Sequence, residues 1–227
     1  MKFCAISDTH GLLPEIEPCD VLIIAGDISP LSIQGNFKLM SDWIFEDFID
    51  WVVNLPCEEV ILIAGNHDFW FNSANYTQKL LIKYASHGKI TYLENQSITI
   101  YGDSGEEIKI FGTPWCHNFG YWPFMISEKL LEEKFKEIPE NVDILISHDP
   151  PFGTCDIDSI LQKYPPIHVG NQILSDRIWK VKPKMVISGH IHSGDHNLVE
   201  VAGTKYVNVS LLDESYSFNY KPFYFEY

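Results

Sequence analysis

Side chains that can bind a metal ion or transfer a proton follow five short apolar runs of this sequence. They are Asp8, His10, Asp27, Asn66, His67, His148, His190 and His192. Carboxylate, amide and imidazole groups suit borderline to hard divalent cations, and an imidazole also exchanges protons near neutral pH. Taken singly, each of these short motifs is better explained by a capped loop or a hydrogen-bonded core histidine. Five runs that end in this order of residue types are hard to produce by packing alone, so they indicate one chemically active site.

The apolar runs are continuous and rich in β-branched residues, which is typical of strands covered on both faces. They span residues 3–6, 21–25, 60–64, 144–146 and 185–187. Because α/β folds place their sites where strands end, we expect the polar residues after these runs to converge.

Helical patterns lie between the strands. A helix is predicted from an N-cap at Ser41 to Leu55, since apolar residues repeat there at spacings of three and four. Further helices are predicted around 80–84, 127–138 and 173–181, and hairpins at 97–101 with 107–111 (around Asp103) and at 198–209. Strands that alternate with helices, followed by paired strands, predict an α/β sandwich with a mixed sheet.

Composition limits the partners of the chain. It has 16 Lys and Arg residues against 31 Asp and Glu residues, a formal net charge of −15 at pH 7. Nucleic-acid backbones and anionic membranes both need a cationic surface, so we expect neither long nucleic acid nor membrane as a partner. Arg177 is the only arginine, so a phosphate site here cannot use a cluster of guanidinium groups.

Cysteine usage and hydropathy predict a cytoplasmic location. The 5 cysteines include no C-x-x-C pair, which opposes a disulfide framework or a thiolate zinc site. No apolar stretch approaches the roughly 18 residues of a membrane span, and the run after Met1 is too short for a secretory signal.

The order of the polar motifs resembles the calcineurin-like metallophosphoesterase superfamily, whose pattern is D-x-H, G-D, G-N-H-[DE], a single H and G-H-x-H. All five blocks occur in this order between Asp8 and His192. The stretches 112–115 and 145–153 also resemble the small metallophosphoesterase-domain-containing proteins. The resemblance implies a four-layer α/β/β/α sandwich with mixed β-sheets, which we expect to form a single domain over residues 1–227.

The resemblance also implies a centre of two divalent metal ions. The first ion would be held by Asp8, His10 and His192. The second would be held by Asn66, His148 and His190, and Asp27 would bridge the two. This ligand set makes Mn²⁺ the first choice, with Fe, Zn²⁺ and Mg²⁺ as alternatives. Four protein ligands at each ion would leave positions open for water and substrate.

His67 is adjacent to a predicted ligand without being one, so it can face the substrate as general acid while a metal-bridging hydroxide attacks phosphorus. Asp68 is expected to orient or support the His67 imidazole, and a helix cap is the alternative role. Candidate substrate contacts are His117, Trp115 and Trp70. The two tryptophans would stack a nucleobase, although packing is the favoured alternative for all three residues.

These features favour a phosphodiesterase for small phosphodiesters such as cyclic nucleotides. Two divalent ions, two aspartates and a hydroxide sum to about +1, which suits a small phosphate ester despite the acidic surface. A phosphomonoesterase or protein phosphatase with the same metals is the alternative, but protein phosphatases of this superfamily surround the phosphate with arginines. A non-catalytic scaffold is the third hypothesis, and the intact ligand set opposes it.

Overall fold

The computed structural model describes residues 1–102, 104–158 and 167–227. Its first β-sheet contains β1 (Lys2–Ile6), β2 (Val21–Ala25), β3 (Glu59–Ile63), β4 (Ile90–Tyr92) and β11 (Phe223–Glu226). The strand order is β11-β1-β2-β3-β4. Strands β1 to β4 are parallel, and β11 pairs antiparallel with β1. The carboxyl ends of β1, β2 and β3 therefore lie at the same edge of this sheet.

The second sheet has the order β5-β6-β7-β8-β10-β9. Its strands are β5 (Gln96–Tyr101), β6 (Glu107–Thr113), β7 (Ile144–Ser147), β8 (Met185–Ser188), β9 (Val199–Val201) and β10 (Thr204–Asn208). The four inner strands are parallel, and the edge strands β5 and β9 pair antiparallel with their neighbours. Both predicted hairpins are present, although Asp103 in the first turn lies outside the described residues.

The helices are α1 (Phe37–Trp43), α2 (Ile49–Asn54), α3 (Phe69–Ser73), α4 (Tyr76–Ala85), α5 (Glu128–Lys136) and α6 (Gln172–Val181). A π-helical segment, Ile44–Phe48, joins α1 to α2. The predicted start of this helix at Ser41 is wrong. The Asn36 side chain accepts a hydrogen bond from the Leu39 N–H and caps α1 one turn earlier, so Met40 joins the buried face. No helix within the described ranges is long and apolar enough to cross a membrane.

Three hydrophobic cores separate four layers. Between the sheets, side chains such as Ile23 and Ile61 meet Ile146 and Ile187. The outer face of the first sheet packs against α1 to α4, and that of the second against α5 and α6. This arrangement confirms the predicted α/β/β/α sandwich with mixed sheets.

The two sheets meet at the edge where their parallel strands end. Ser7, just after β1, donates its N–H to Val209 O over 2.9 Å and forms a parallel bridge with Ser210, beyond β10. The polar segments after β1, β2, β3, β7 and β8 therefore face one another, as the sequence predicts.

Candidate metal centre

Four of the predicted ligands sit on strained backbone. Asp8, His10, Asp27 and His190 have φ angles of 53°, 43°, 53° and 70°. Residues with a Cβ rarely adopt this left-handed region, and each instance costs about 1–3 kcal/mol unless the surroundings fix it. Such strain is typical of functional sites, where a sharp turn directs side chains into a common space.

Two motif glycines are required by crowding around the ligands. A Cβ on Gly65 would overlap Asp27 Oδ1 and the His148 ring, and one on Gly189 would overlap Asp8 Oδ2. The G-N-H and G-H-x-H motifs therefore need glycine because the backbone passes directly against ligand side chains.

Group one consists of Asp8, His10 and His192. All three are buried, and their ligand atoms lie within 4.8 Å of one another. His192 Nε2 is 3.3 Å from Asp8 Oδ1. The other carboxylate oxygen, Asp8 Oδ2, accepts hydrogen bonds from the His190 N–H over 2.8 Å and from Ser210 Oγ over 2.7 Å. These bonds turn Asp8 Oδ1 towards the two histidines.

Group two consists of Asp27, His148 and His190, again with ligand atoms within 4.8 Å, together with Asn66. His148 Nε2 lies 3.3 Å from Asp27 Oδ2 and 3.0 Å from Asn66 Oδ1. Asp27 Oδ2 is also 3.9 Å from the Nε2 atom of His10 in group one. Asp27 thus lies between the groups, in the position expected of a bridging carboxylate, and all seven predicted ligands are brought together.

The donor atoms fit divalent cations. Both ring nitrogens of His10 are buried without a hydrogen-bond partner among the described residues, and Asp8 Oδ1 contacts only His192 Nε2, 3.3 Å away, among them. Buried polar atoms almost always have a partner, so the His10 nitrogens require one that the described residues do not supply. Oxygen and imidazole donors in two adjoining groups suit a pair of divalent cations.

Two of the ligand histidines lie in ion-pair contact with the carboxylates. Burial alone would raise the pKa of Asp8, but its hydrogen bond with His192 and the nearby histidines hold it well below the usual value. Burial lowers and the Asp27 charge raises the pKa of His148, with a net value of about 10. In the same way, Asp8 outweighs burial and raises the pKa of His192 to about 9. Cations must displace these protons to bind.

The surroundings of the other two ligand histidines, His10 and His190, favour the neutral imidazole. Burial lowers the pKa of His10. Burial and the charge of His148 lower the pKa of His190 to about 4. Each ring therefore offers a lone pair to a cation at neutral pH.

His67 lies in the wall of the cleft above both groups. Its N–H donates to Asp27 Oδ1 over 2.7 Å, and its ring contacts His10 and Trp122 at centroid distances of 4.9 and 4.5 Å. Its Nδ1 atom is 2.8 Å from Gln34 Oε1. Sequence reasoning missed Gln34, because it belongs to no motif and lies 33 residues from its partner.

Asp68 has a different position from the one predicted. Its Oδ2 atom accepts from the N–H groups of Gly65 and Asp27, each over 2.8 Å, and Oδ1 accepts from Ser29 N and Oγ over 3.0 and 2.6 Å. The carboxylate therefore contacts backbone below the site and not the His67 imidazole. It also makes no capping bond to α3, so neither role expected from the sequence is seen. Burial and the Asp27 charge raise the pKa of Asp68 to about 7.

The proposed aromatic contacts are packed elsewhere. Trp70 is 1% exposed and stacks on Phe37, and Trp115 packs against Phe124. Neither tryptophan lines the cleft, so packing, the alternative role, describes both. The structure thus places the buried Trp70 and the half-buried Trp115 away from the cleft, and packing is the favoured alternative for both.

His117 is held beside the site by Asp149, the residue after ligand His148. Asp149 Oδ2 lies 2.8 Å from His117 Nδ1 and accepts the His117 N–H over 2.9 Å. This hydrogen bond raises the pKa of His117. The imidazole contacts Phe119, whose ring stacks near His190 at 5.2 Å, so His117 supports the cleft wall through Phe119.

The cleft over the two groups has a volume of about 340 Å³. Phe119, Trp122 and Tyr216 form its aromatic walls, and Asp158 and Glu214 add carboxylates. Neither lysine nor arginine occurs among the described residues that line it. Arg177 instead donates from Nη2 to the carbonyl oxygens of Lys136 and Ile138 near the end of α5.

A four-layer α/β/β/α sandwich with two adjoining ligand groups at the strand ends defines a protein of the dinuclear metallophosphoesterase class. The family described as calcineurin-like phosphoesterase matches residues 1–194, and the chain belongs to this family. The family hydrolyses phosphoesters with a dinuclear divalent metal site, to which the two ligand groups correspond.

Relatives are found in animals. Human metallophosphoesterase domain-containing protein 1 is 30% identical over 243 residues, which cover 97% of this chain and 68% of the relative. A UPF0046 protein of Caenorhabditis elegans is 29% identical over 242 residues, which cover 100% of this chain and 80% of the relative. The solved structure of a phosphopantetheinyl hydrolase from Mycobacterium tuberculosis shares the fold, with a TM-score of 0.56 and 14% sequence identity. The superposition covers 95% of this chain and 90% of the hydrolase.

Proposed function

We propose that this chain is a dinuclear metal-dependent phosphodiesterase that hydrolyses small phosphodiesters such as cyclic nucleotides. The observation that carries the proposal is the position of His67. Its ring lies in the cleft wall beside both groups, while its Nε2 atom makes no hydrogen bond with the part of the chain that the structure describes. A proton on that atom is available to a leaving group in the cleft.

The reaction divides between the cations and the protein. When bound, two divalent cations would supply Lewis acidity, which lowers the pKa of water and offsets the charge of phosphoryl oxygens. Asp27 sets the spacing of the groups through its contacts with His10 and His148. His67 donates a proton from Nε2 to the departing alkoxide. An alkoxide is a poor leaving group, so a phosphodiester depends strongly on this acid.

The charges around the cleft support a diester over a monoester. A phosphodiester carries one negative charge, and a monoester carries up to two at neutral pH. Glu214 at the cleft repels the additional charge, and the described lining residues include neither lysine nor arginine. The formal net charge of −15 acts in the same direction against long nucleic acids, whose flanking phosphates lie outside the pocket.

The aromatic walls support a substrate with a planar organic group. Trp122 lies next to the proposed acid, and Tyr216 packs near His10 and His192 at 5.0 and 5.3 Å. A cleft of about 340 Å³ is at the lower end of the ~300–1,000 Å³ usual for small-molecule sites. Stacking of a base on such a side chain contributes about 1–3 kcal/mol. Trp122 thus takes the role that the sequence assigned to Trp70 and Trp115.

The Mn²⁺-loaded protein tests this function. Turnover of bis(4-nitrophenyl) phosphate and cyclic AMP is compared with that of 4-nitrophenyl phosphate, with EDTA as control. We expect the diesters to have the higher kcat/KM and the chelator to abolish turnover. A preference for the monoester would support the phosphomonoesterase alternative, and no turnover of any ester would support a scaffold.

The role of His67 is tested by His67→Ala, with the exposed His87→Ala as matched control. His67→Ala should keep its metal and lose cyclic AMP turnover by about 10²- to 10⁴-fold, whereas the control should behave like the native protein. Unchanged cyclic AMP turnover in His67→Ala would reject the acid assignment.

A further inference from the structure

We propose that Gln34 is a positioning residue for the general acid. In this proposal, its side-chain oxygen accepts a hydrogen bond from His67 Nδ1 and thereby presents Nε2 to the leaving group. The inference rests on the proposed function of His67 as acid. The contact is 2.8 Å long, and Gln34 is half-buried between β2 and α1.

The hydrogen bond with Gln34 fixes which ring nitrogen of His67 faces the substrate. The rings of His10 and Trp122 contact His67 at interplanar angles of 89° and 43° and so restrict its plane. Ring contacts do not distinguish the two nitrogens of an imidazole, whereas a hydrogen bond to one of them does. Within the described ranges, Gln34 is the one residue that hydrogen-bonds a ring nitrogen of His67.

The backbone around Gln34 is held in place on both sides. Ile33 packs against the core under the first sheet, and its carbonyl accepts the N–H of Asn36 over 2.8 Å. Asn36 in turn caps α1. The amide of Gln34 therefore extends from an anchored turn, so the contact with His67 costs rotamer freedom of the side chain but no further backbone entropy.

Asp68 connects the two partners. It accepts hydrogen bonds from Ser29, five residues before Gln34, and from Gly65, two residues before His67. One buried carboxylate thus holds together the loops that carry the acid and the amide. This arrangement assigns Asp68 an indirect role, in which it sets the separation of Gln34 and His67 without contact to the imidazole.

The test uses substrates that differ in their need for an acid. Gln34→Leu keeps the size of the side chain and removes the acceptor. We expect it to lower kcat for cyclic AMP by about 10- to 100-fold, since misplacement of a catalytic group has effects of this size. KM and metal content should not change. Turnover of bis(4-nitrophenyl) phosphate should stay within about twofold, because nitrophenolate leaves without a proton.

Two further variants separate positioning from structural damage. Gln34→Glu keeps an acceptor of the same reach and should restore kcat for cyclic AMP to within about threefold of the native value. Gln172→Leu is the matched control, because Gln172 donates to Asp176 on an exposed face of α6. It should leave both activities unchanged.

A double variant tests whether Gln34 acts through His67. In a His67→Ala background, Gln34→Leu should have no further effect on cyclic AMP turnover, since residues that act as a unit are not additive. An additional loss there, or equal losses with both substrates, would overturn the positioning role. If His67→Ala alone leaves turnover intact, the acid assignment itself fails. If His67→Ala loses turnover of cyclic AMP but Gln34→Leu does not, only the inference about Gln34 is overturned.

Discussion

Group one and group two hold their ligand atoms within the same 4.8 Å limit, but the protein satisfies them to different degrees. In group one, both ring nitrogens of His10 have no hydrogen-bond partner among the residues described. In group two, His148 Nδ1 lies 2.8 Å from Ala25 O, and its Nε2 atom contacts Asn66. His10 of group one therefore depends on a cation for its missing partners, whereas His148 of group two is already held by protein contacts.

This difference has an energetic consequence. Orphaned buried atoms cost about 1–3 kcal/mol each, so the metal-free protein is destabilised at group one. The contacts of His148 instead stabilise the metal-free fold and compete with a cation for the same nitrogen and oxygens. Group one should therefore gain more stability from metal binding than group two.

The largest loss of activity is expected at Asp27, the carboxylate that lies between the two ligand groups. Asp27→Asn keeps the shape of the side chain but removes the charge between the groups. We expect kcat/KM for bis(4-nitrophenyl) phosphate to fall about a thousandfold, since loss of metal-centred charge stabilisation amounts to several kcal/mol. Metal content should fall from two ions to one or none, measured by mass spectrometry. Asp176→Asn on exposed α6 is the control, and an Asp27→Asn variant that retains two ions would show that the groups do not share this carboxylate.

The difference between His10 in group one and His148 in group two is tested by the stability of two alanine variants in EDTA. His148→Ala removes the ion-pair partner of Asp27 Oδ2 and one of the two donors to Ala25 O, so the free energy of unfolding should fall by about 3 kcal/mol. His10→Ala removes a ring whose nitrogens make no hydrogen bond, so the change should be below about 1 kcal/mol. Urea denaturation gives both values. Equal losses would mean that the two groups are satisfied alike.

The sequence predicts those parts of the site that depend on strand order. Each ligand directly follows a buried strand, and parallel strands necessarily end at one edge, so Asp8, Asp27 and His148 meet without detailed knowledge of the loops. The apolar runs likewise predict the sheets, because they carry the pattern of strands covered on both faces.

Residues placed by loop geometry could not be predicted in this way. Gln34 reaches His67 because a turn folds back from β2, and no spacing in the sequence encodes that contact. Trp70 and Trp122 both occur in aromatic segments, but α3 directs Trp70 into the core while Trp122 faces the cleft. Asp68 follows the acid in sequence, yet its carboxylate points towards the backbone of two loops. Tertiary contacts decide each of these orientations.

A third prediction concerns pH. The pKa values of His148 and His192, raised to about 10 and 9 by Asp27 and Asp8 against the opposing effect of burial, lie above the ordinary value near 6.5. Both rings are thus protonated at pH 7 without metal and must lose a proton to bind one. Affinity for Mn²⁺ should rise about tenfold per pH unit for each proton released, between pH 7 and 9.

The stability of the metal-free protein should respond to pH in the opposite direction. A histidine with a raised pKa stabilises the fold fully below its unfolded value of about 6.5, and this contribution is lost as pH rises through 9 to 10. Calorimetry in buffers of different ionisation enthalpy measures the protons released at each pH. Metal binding without proton release at pH 7 would contradict the paired state described for both groups.

The smallest predicted effect is on metal affinity, and it should distinguish group one from group two. Ser210→Ala removes one of the two donors to Asp8 Oδ2 and leaves only the His190 N–H. Loss of such a supporting bond typically weakens metal affinity by about 10-fold or somewhat more. The weakening should be confined to one of two ions in a titration, because the Ser210 hydroxyl donates to Asp8, a ligand of group one. Ser86→Ala, at a buried serine beyond α4, is the control. Weakening of both ions would show that Asp8 influences group two through the His190 N–H, and the two groups would then behave as one cooperative unit.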